Sequence, residues 1–421
     1  MPLPRGRKAG RASWSGTLDR ALKEVRILDI HTHLYAPGFG GLLLRGIDEL
    51  LTYHYLAAET LRHAPMAPRE FFAMPKREQA DLVWKTLFVD RSPLSEATRG
   101  VLTTLERLGA EPGRRDLGAV RKFFASLSPE AHVERVFRAA GVEEVVMTND
   151  PFDPLERPVW EGGVRPDPRF HAALRIDPIL TGWERAVSRL REWGYEVGPE
   201  LSDRTVEEVR RFLRDWAGRT KALYLAVSLP PDFAYPGAST AAALIDRAVL
   251  PACAERGLPF ALMIGVRRAV NPELGLAGDG VGRARIESVE ALCAGHPRNK
   301  FLVTMLSREN QHELCVAARK FRNLLPFGCW WFLNNPSLVD EMTRMRLELL
   351  GPSVVPQHSD ARVLDQLVYK WDHSRKILGD VLRDKYADLE EAGWIPRPEE
   401  IQRDVRQLFG GIFREFLGKS P

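Results

Sequence analysis

Eight short runs of apolar, largely β-branched residues punctuate the chain, at 25–30, 144–148, 170–176, 222–228, 259–266, 300–306, 325–329 and 353–357. They are near-continuous rather than alternating, which is how strands read when a parallel sheet buries both of their faces. Amphipathic stretches separate them. In one, Val209, Phe212, Leu213 and Trp216 recur at helical spacing behind Ser202 and Asp203, either of which can cap the helix. Others lie at about 239–256, 283–295, 308–322 and 337–350. Strand–helix alternation predicts a parallel sheet with right-handed crossovers, and eight strands close a (β/α)8 barrel.

The barrel is expected to be distorted. The first crossover, at about 36–142, is far too long for a single helix and carries several helical patterns and turn signals, so it reads as a helical insertion between strands one and two. The second, at 149–169, holds five prolines and no convincing helix. Beyond strand eight, 361–386 and about 397–417 read as helices. The domain organisation expected is a flexible basic tail at 1–20 followed by one catalytic barrel at 21–421.

Charge narrows the partners. The chain has 60 Lys and Arg against 56 Asp and Glu, and the excess sits in Arg5, Arg7, Lys8 and Arg11. A balanced body argues against a nucleic-acid surface. No apolar run approaches the ~20 residues of a membrane span, so no membrane partner is expected. Cys253, Cys293, Cys315 and Cys329 are scattered with no CxxC pair, which predicts neither a disulfide framework nor a thiolate zinc site, and a reducing, cytoplasmic location.

The sharpest local signal is Asp29-Ile30-His31-Thr32-His33, at the end of the first strand. Residues two apart on a strand share a face about 7 Å apart, so His31 and His33 can converge on one divalent ion. Barrel active sites lie at the C-terminal ends of strands, where this motif falls. A carboxylate should join them, and Asp360, after strand eight, reaches strand one when the barrel closes. Asp360 can equally cap the following helix, and His358 is a rival ligand. The segment Gly275-Leu-Ala-Gly-Asp-Gly-Val-Gly282 lacks the ending of a phosphate loop and reads as a flexible loop after strand five, a partial lid.

HxH on strand one with Asp after strand eight resembles the amidohydrolase superfamily. Further stretches, Glu49-Leu-Leu-Thr-Tyr-His54-Tyr55, Phe170-His-Ala-Ala-Leu-Arg175-Ile-Asp-Pro178, Phe327-Gly-Cys-Trp-Trp331-Phe-Leu-Asn-Asn-Pro336 and His358-Ser-Asp360-Ala-Arg362, resemble motifs of uronate isomerases, in a shorter, divergent branch. The resemblance implies one divalent metal, zinc being expected, on His31, His33 and Asp360. It implies substrate contacts from His54, Arg175 and Trp331, and catalytic roles for Asp360, Tyr55 and Arg362. It implies interconversion of D-glucuronate with D-fructuronate and D-galacturonate with D-tagaturonate, without a nucleotide cofactor, on a small sugar acid, in a homo-oligomer. Strand five lacks the His of many superfamily relatives, so a two-metal site is not expected and the single metal is expected to bind weakly.

Each residue also has a plainer explanation. His54 continues the apolar stripe Ile47, Leu50, Leu51. Arg175 has Asp177 as a permanent partner within reach. One of Trp330 and Trp331 is core, and Arg362 is a surface residue of the last barrel helix. The rival activity is that of a mononuclear metal-dependent hydrolase or decarboxylase of the same superfamily.

Overall fold

The computed structural model describes residues 14–418. Its main sheet has seven parallel strands: β1 (Ile27–Thr32), β2 (Val142–Asn149), β3 (Phe170–Arg175), β4 (Leu225–Leu229), β5 (Phe260–Ile264), β8 (Phe301–Met305) and β9 (Leu324–Pro326), paired in that order. Between β5 and β8 a small antiparallel hairpin, β6 (Val266–Arg267) and β7 (Gly280–Val281), rises from the sheet. The eighth expected strand is reduced to one bridge, Val355 to Phe327. Val355 N–H donates to Pro326 O at 3.1 Å and Gly328 N–H to Val355 O at 2.8 Å. Pro356 then has no N–H to continue the ladder. Closure against β1 comes from His33 N–H to Ala361 O at 2.7 Å and Asp360 N–H to His31 O at 3.2 Å. The architecture is a distorted (β/α)8 barrel.

Two apolar compartments follow from the strand pleat. On β5, Phe260, Leu262 and Ile264 pack outward on the helices, while Ala261 and Met263 fill the barrel. Phe413, on the terminal helix Ile412–Phe416, belongs to the barrel interior and packs edge-on to Tyr224, with 6.1 Å between ring centroids. A bulge in β1 sets Asp29 against Val145 but Thr32 against Met147, one residue too many for the partner strand. Bulges re-aim side chains. Here His31 follows Leu28 and Ile30 inward and meets Tyr224 and Phe327.

Between β1 and β2 run helices Ile47–Leu51, His54–Leu61, Pro68–Ala73, Lys76–Trp84, Glu96–Leu108, Leu117–Ala125 and Pro129–Ala140, the last packing on β2. Ser202 caps helix Asp203–Thr220 through Thr205 N–H, with Val209, Phe212, Leu213 and Trp216 buried. The region 149–169 contains only the short helix Arg157–Glu161. The expected basic tail at 1–20 is described only in part. Residues 1–13 lie outside the described residues, but Trp14 and Leu18 are buried and Ser15–Glu24 is a helix with an apolar face. The helix expected from 361 starts later, as Gln366–Glu391. The Gln366 Oε1 accepts from Arg362 N–H at 2.9 Å and Val363 N–H at 3.0 Å, holding that segment as a loop. The glycine-rich 275–282 carries the end of a 3-10 turn, Pro272–Gly278, and β7, and an added Cβ at Gly278 would stand 1.8 Å from Asn271 O. Among the described residues no helix is long and apolar enough to cross a membrane.

Two buried features give stability predictions. Gly328 has φ +66°, and a Cβ there would lie 1.6 Å from His358 Nδ1. Gly328→Ala should therefore cost on the order of 3 kcal/mol or more. Gly295→Ala, with nothing within 4 Å of the new Cβ, should be neutral or stabilising; thermal melting of both checks this. Glu156 is fully buried and accepts from Tyr35, Asn149 and Trp160 side chains and from Asp150 N–H. Burial, against those donors, raises its carboxyl from 4.5 to about 7. The folded state thus holds this proton more tightly than the unfolded chain. Its contribution is full below about 4.5 and is lost as pH rises through about 7. The stability advantage of the native protein over Glu156→Gln should shrink by on the order of 3 kcal/mol across that window, as read by denaturant titration at several pH values.

Candidate active site

A cavity opens at the C-terminal ends of the strands, where barrels carry their sites. It gathers His31 and His33 from β1, Tyr53 and His54 from the insertion, and Thr148 from the end of β2. Arg175 and Asp177 come from the end of β3, Trp330 and Trp331 from the segment after β9, and Asp360 and Arg362 from the closing segment. Asp360 is no helix cap, because the next helix starts only at Gln366. It sits in the left-handed region, φ 53°, as does Trp331, φ 45°; such strain persists where the surroundings over-determine the backbone.

The two imidazoles are fixed in tautomer and charge. Tyr224 donates its hydroxyl to Ile30 O at 2.7 Å, so it accepts from His31 Nδ1–H at 3.2 Å. Thr148 donates to Thr32 O at 2.7 Å and accepts from His33 Nδ1–H at 2.9 Å. Both Nε2 atoms are thereby left as lone pairs. Burial pushes the His31 ring down to about 3 although Asp360 lies beside it. Burial, with Arg362 and Arg175, holds His33 well below its ordinary value. Asp360 Oδ1 stands 3.7 Å from His31 Nε2 and 3.4 Å from His33 Nε2. Neither His31 Nε2 nor Asp360 Oδ1 has a hydrogen-bond partner. Three acceptors converging with no proton among them call for a cation, and this His-His-Asp set can hold one metal ion.

His358 stays outside this set. It is fully buried behind His31, with ring centroids 5.2 Å apart, and packs on Phe327. His54 lines the cavity with an unpartnered Nε2, its ring 5.7 Å from Trp331. Burial, then Arg362, push it down to about 3, so it is neutral. Trp331 also points an unpartnered Nε1 inward. Trp330 lines the cavity as well as the core, so neither tryptophan is core alone.

Two of the expected site residues have close neighbours. Tyr53 lines the cavity, and Tyr55 packs beside it, edge-on to Tyr53 at 5.0 Å and to His54 at 4.4 Å. Arg175 does not stand alone: its Nη2 donates to Asp177 Oδ1 at 2.8 Å. Arg362, by contrast, has no ion-pair partner among the described residues and faces the same cavity.

Sequence reading passed over several lining residues. Thr148 and Ser228 sit at the ends of β2 and β4, so the strand-end rule could have flagged them. Arg268 and Leu276 arrive from the hairpin that the glycine pattern concealed. Tyr224, within the barrel core, carried no local signal. The Thr148 contact is testable. Thr148→Val keeps the shape but frees the His33 tautomer, and metal affinity should fall about 10–100-fold, read by elemental analysis and metal titration of the purified protein. His31→Ala or His33→Ala should lower occupancy further.

No protein-family model matches this chain, and no curated protein matches it. Solved structures do. A uronate isomerase from Bacillus halodurans superposes with TM-score 0.96 at 53% identity, covering 98% of this chain and 98% of that one. A uronate isomerase from Thermotoga maritima (TM-score 0.75, 18% identity, 93% of this chain and 95% of that one) shares the fold. So does a glucuronate isomerase from Caulobacter crescentus (0.75, 14%, 99% and 97%). With over half the residues shared along nearly its full length with the Bacillus halodurans protein, and a cavity built as described, this chain belongs to the uronate isomerase family.

Proposed function

We propose that this isomerase interconverts D-glucuronate with D-fructuronate and D-galacturonate with D-tagaturonate, moving a proton between C2 and C1. The observation that carries the reading is an uncompensated guanidinium, Arg362, in the same cavity as the His31, His33 and Asp360 set. Positive charge beside a metal-ligand cluster suits an anionic polyol.

His31, His33 and Asp360 would hold one divalent ion, zinc in this reading, which supplies positive charge for anchoring the C6 carboxylate end of the substrate. Two imidazoles and one carboxylate are few ligands, so modest affinity follows. Only Nη2 of Arg175 is engaged by Asp177, which leaves the rest of its fork for the same carboxylate. His54 and Trp331 offer their unpartnered ring nitrogens to sugar oxygens. Asp360 handles proton transfers, ring opening included. Arg362 stabilises the charge that develops on the C1 oxygen of the enediol. Tyr55, packed beside Tyr53, relays protons. The redox changes at C1 and C2 offset each other, so the reaction needs no nucleotide. The four buried, free cysteines fit a reducing cytoplasm, and we take the working unit to be a homo-oligomer.

With D-glucuronate or D-galacturonate and no added nucleotide, proton NMR should show a ketose acid accumulating. Asp360→Asn keeps the size but removes the basicity, and turnover should fall by ~10² or more. Near-normal turnover in that variant would take Asp360 out of the proton transfers. Release of CO₂ or cleavage of an amide or ester, with no uronate converted, would overturn the isomerase reading.

A further inference from the structure

Asp177 enters the cavity at the residue opening the short helix Asp177–Thr181, just past β3. Its carboxylate is half used. Oδ1 accepts from Arg175 Nη2 at 2.8 Å and from Ser228 N–H at 3.3 Å, tying the ends of β3 and β4. That structural work needs one oxygen. Oδ2 is buried and has no hydrogen-bond partner. Buried carboxylate oxygens are normally satisfied, and an ionised one accepts readily.

No side chain or backbone group among the described residues donates to it. The Thr148 hydroxyl is committed to Thr32 O and His33. Arg175 reaches this carboxylate through Oδ1 alone. A cation is a poor match, since the converging ligand atoms among the described residues are those of His31, His33 and Asp360, without Asp177. A second carboxylate would be repelled. What remains is a neutral donor from the ligand, and a sugar acid is a chain of hydroxyls beside a carboxylate.

We propose that Asp177 Oδ2 is the acceptor that reads a hydroxyl of the substrate, making Asp177 a specificity-determining residue. This rests on the uronate reading above and divides the recognition: Arg175 meets the substrate carboxylate, and Asp177 meets a hydroxyl near it. A hydrogen bond to a charged acceptor is strong. A site built to bond a hydroxyl rejects the analogue lacking it by up to ~10⁴.

The test compares D-glucuronate with its 3-deoxy, 4-deoxy and 5-deoxy analogues on the metal-loaded full chain. The quantity read is the ratio of kcat/KM, parent over analogue, within each variant, so a reduced folded fraction cancels. The native enzyme should disfavour one analogue by ~10² or more. In Asp177→Ala that one ratio should drop at least tenfold while the others stay put. Asp177→Asn keeps the size and the contact to Arg175, and guards against an alanine variant that does not fold; in it the same ratio should fall several-fold. If the native enzyme turns over uronates but all three ratios are the same in native and variant proteins, Asp177 reads no hydroxyl and the proposal is overturned. If the native enzyme converts no uronate, the functional reading itself fails, a separate and recognisable result.

Discussion

The closure of the barrel is the interaction on which the site depends. The eighth position cannot pair as a strand beyond Val355, because Pro356 removes the next donor. The gap is bridged by two backbone hydrogen bonds, from His33 N–H to Ala361 O and from Asp360 N–H to His31 O. A buried side chain reinforces them: Asp29 accepts from Ser359 N–H at 3.1 Å and from Trp371 Nε1 at 2.8 Å. The carboxylate of β1 therefore clamps the segment that carries Asp360 and ties both to the long helix Gln366–Glu391. Without that clamp the His31 and His33 pair would have no third ligand.

The same region shows how polar groups in a dry core are kept in one state. Tyr224 and Thr148 each spend a hydroxyl proton on a backbone carbonyl and so can only accept from histidine. Burial keeps the rings neutral. The result is an arrangement of lone pairs, and positive charge completes it. Guanidinium groups at the rim follow a parallel logic. Arg175 is balanced by Asp177 and Arg268 by Asp279, at 2.5 Å. Arg362 is left to respond to whatever charge the ligand brings.

The cover over the mouth comes from two distant parts of the chain. The insertion supplies Tyr53 and His54, and the hairpin between β5 and β8 supplies Arg268 and Leu276. The turn Pro272–Gly278 packs against helix His54–Leu61, so the two covers support each other. Gly278 permits the close approach of that turn to Asn271.

The apolar runs were enough to read a parallel barrel, because strands buried on both faces leave no alternation in sequence. His31, His33 and Asp360 were legible for a related reason: strand-end position is a local property, and closure of an eight-fold barrel brings the last strand beside the first. Local pattern could not tell which face of a helix meets a cavity, so it did not single out Tyr53, which lines the cavity beside Tyr55. Nor could it say whether Arg175 waits for a ligand or holds Asp177, since Asp177 lies two residues away in either case. The tautomer of each histidine depends on Tyr224 and Thr148, which are 193 and 115 residues away along the chain. The sequence by itself determined which residues lie at strand ends, and so which chemistry was available. Only the tertiary structure decided which atoms were left without partners, because hydrogen bonds between distant segments form only once the barrel has closed.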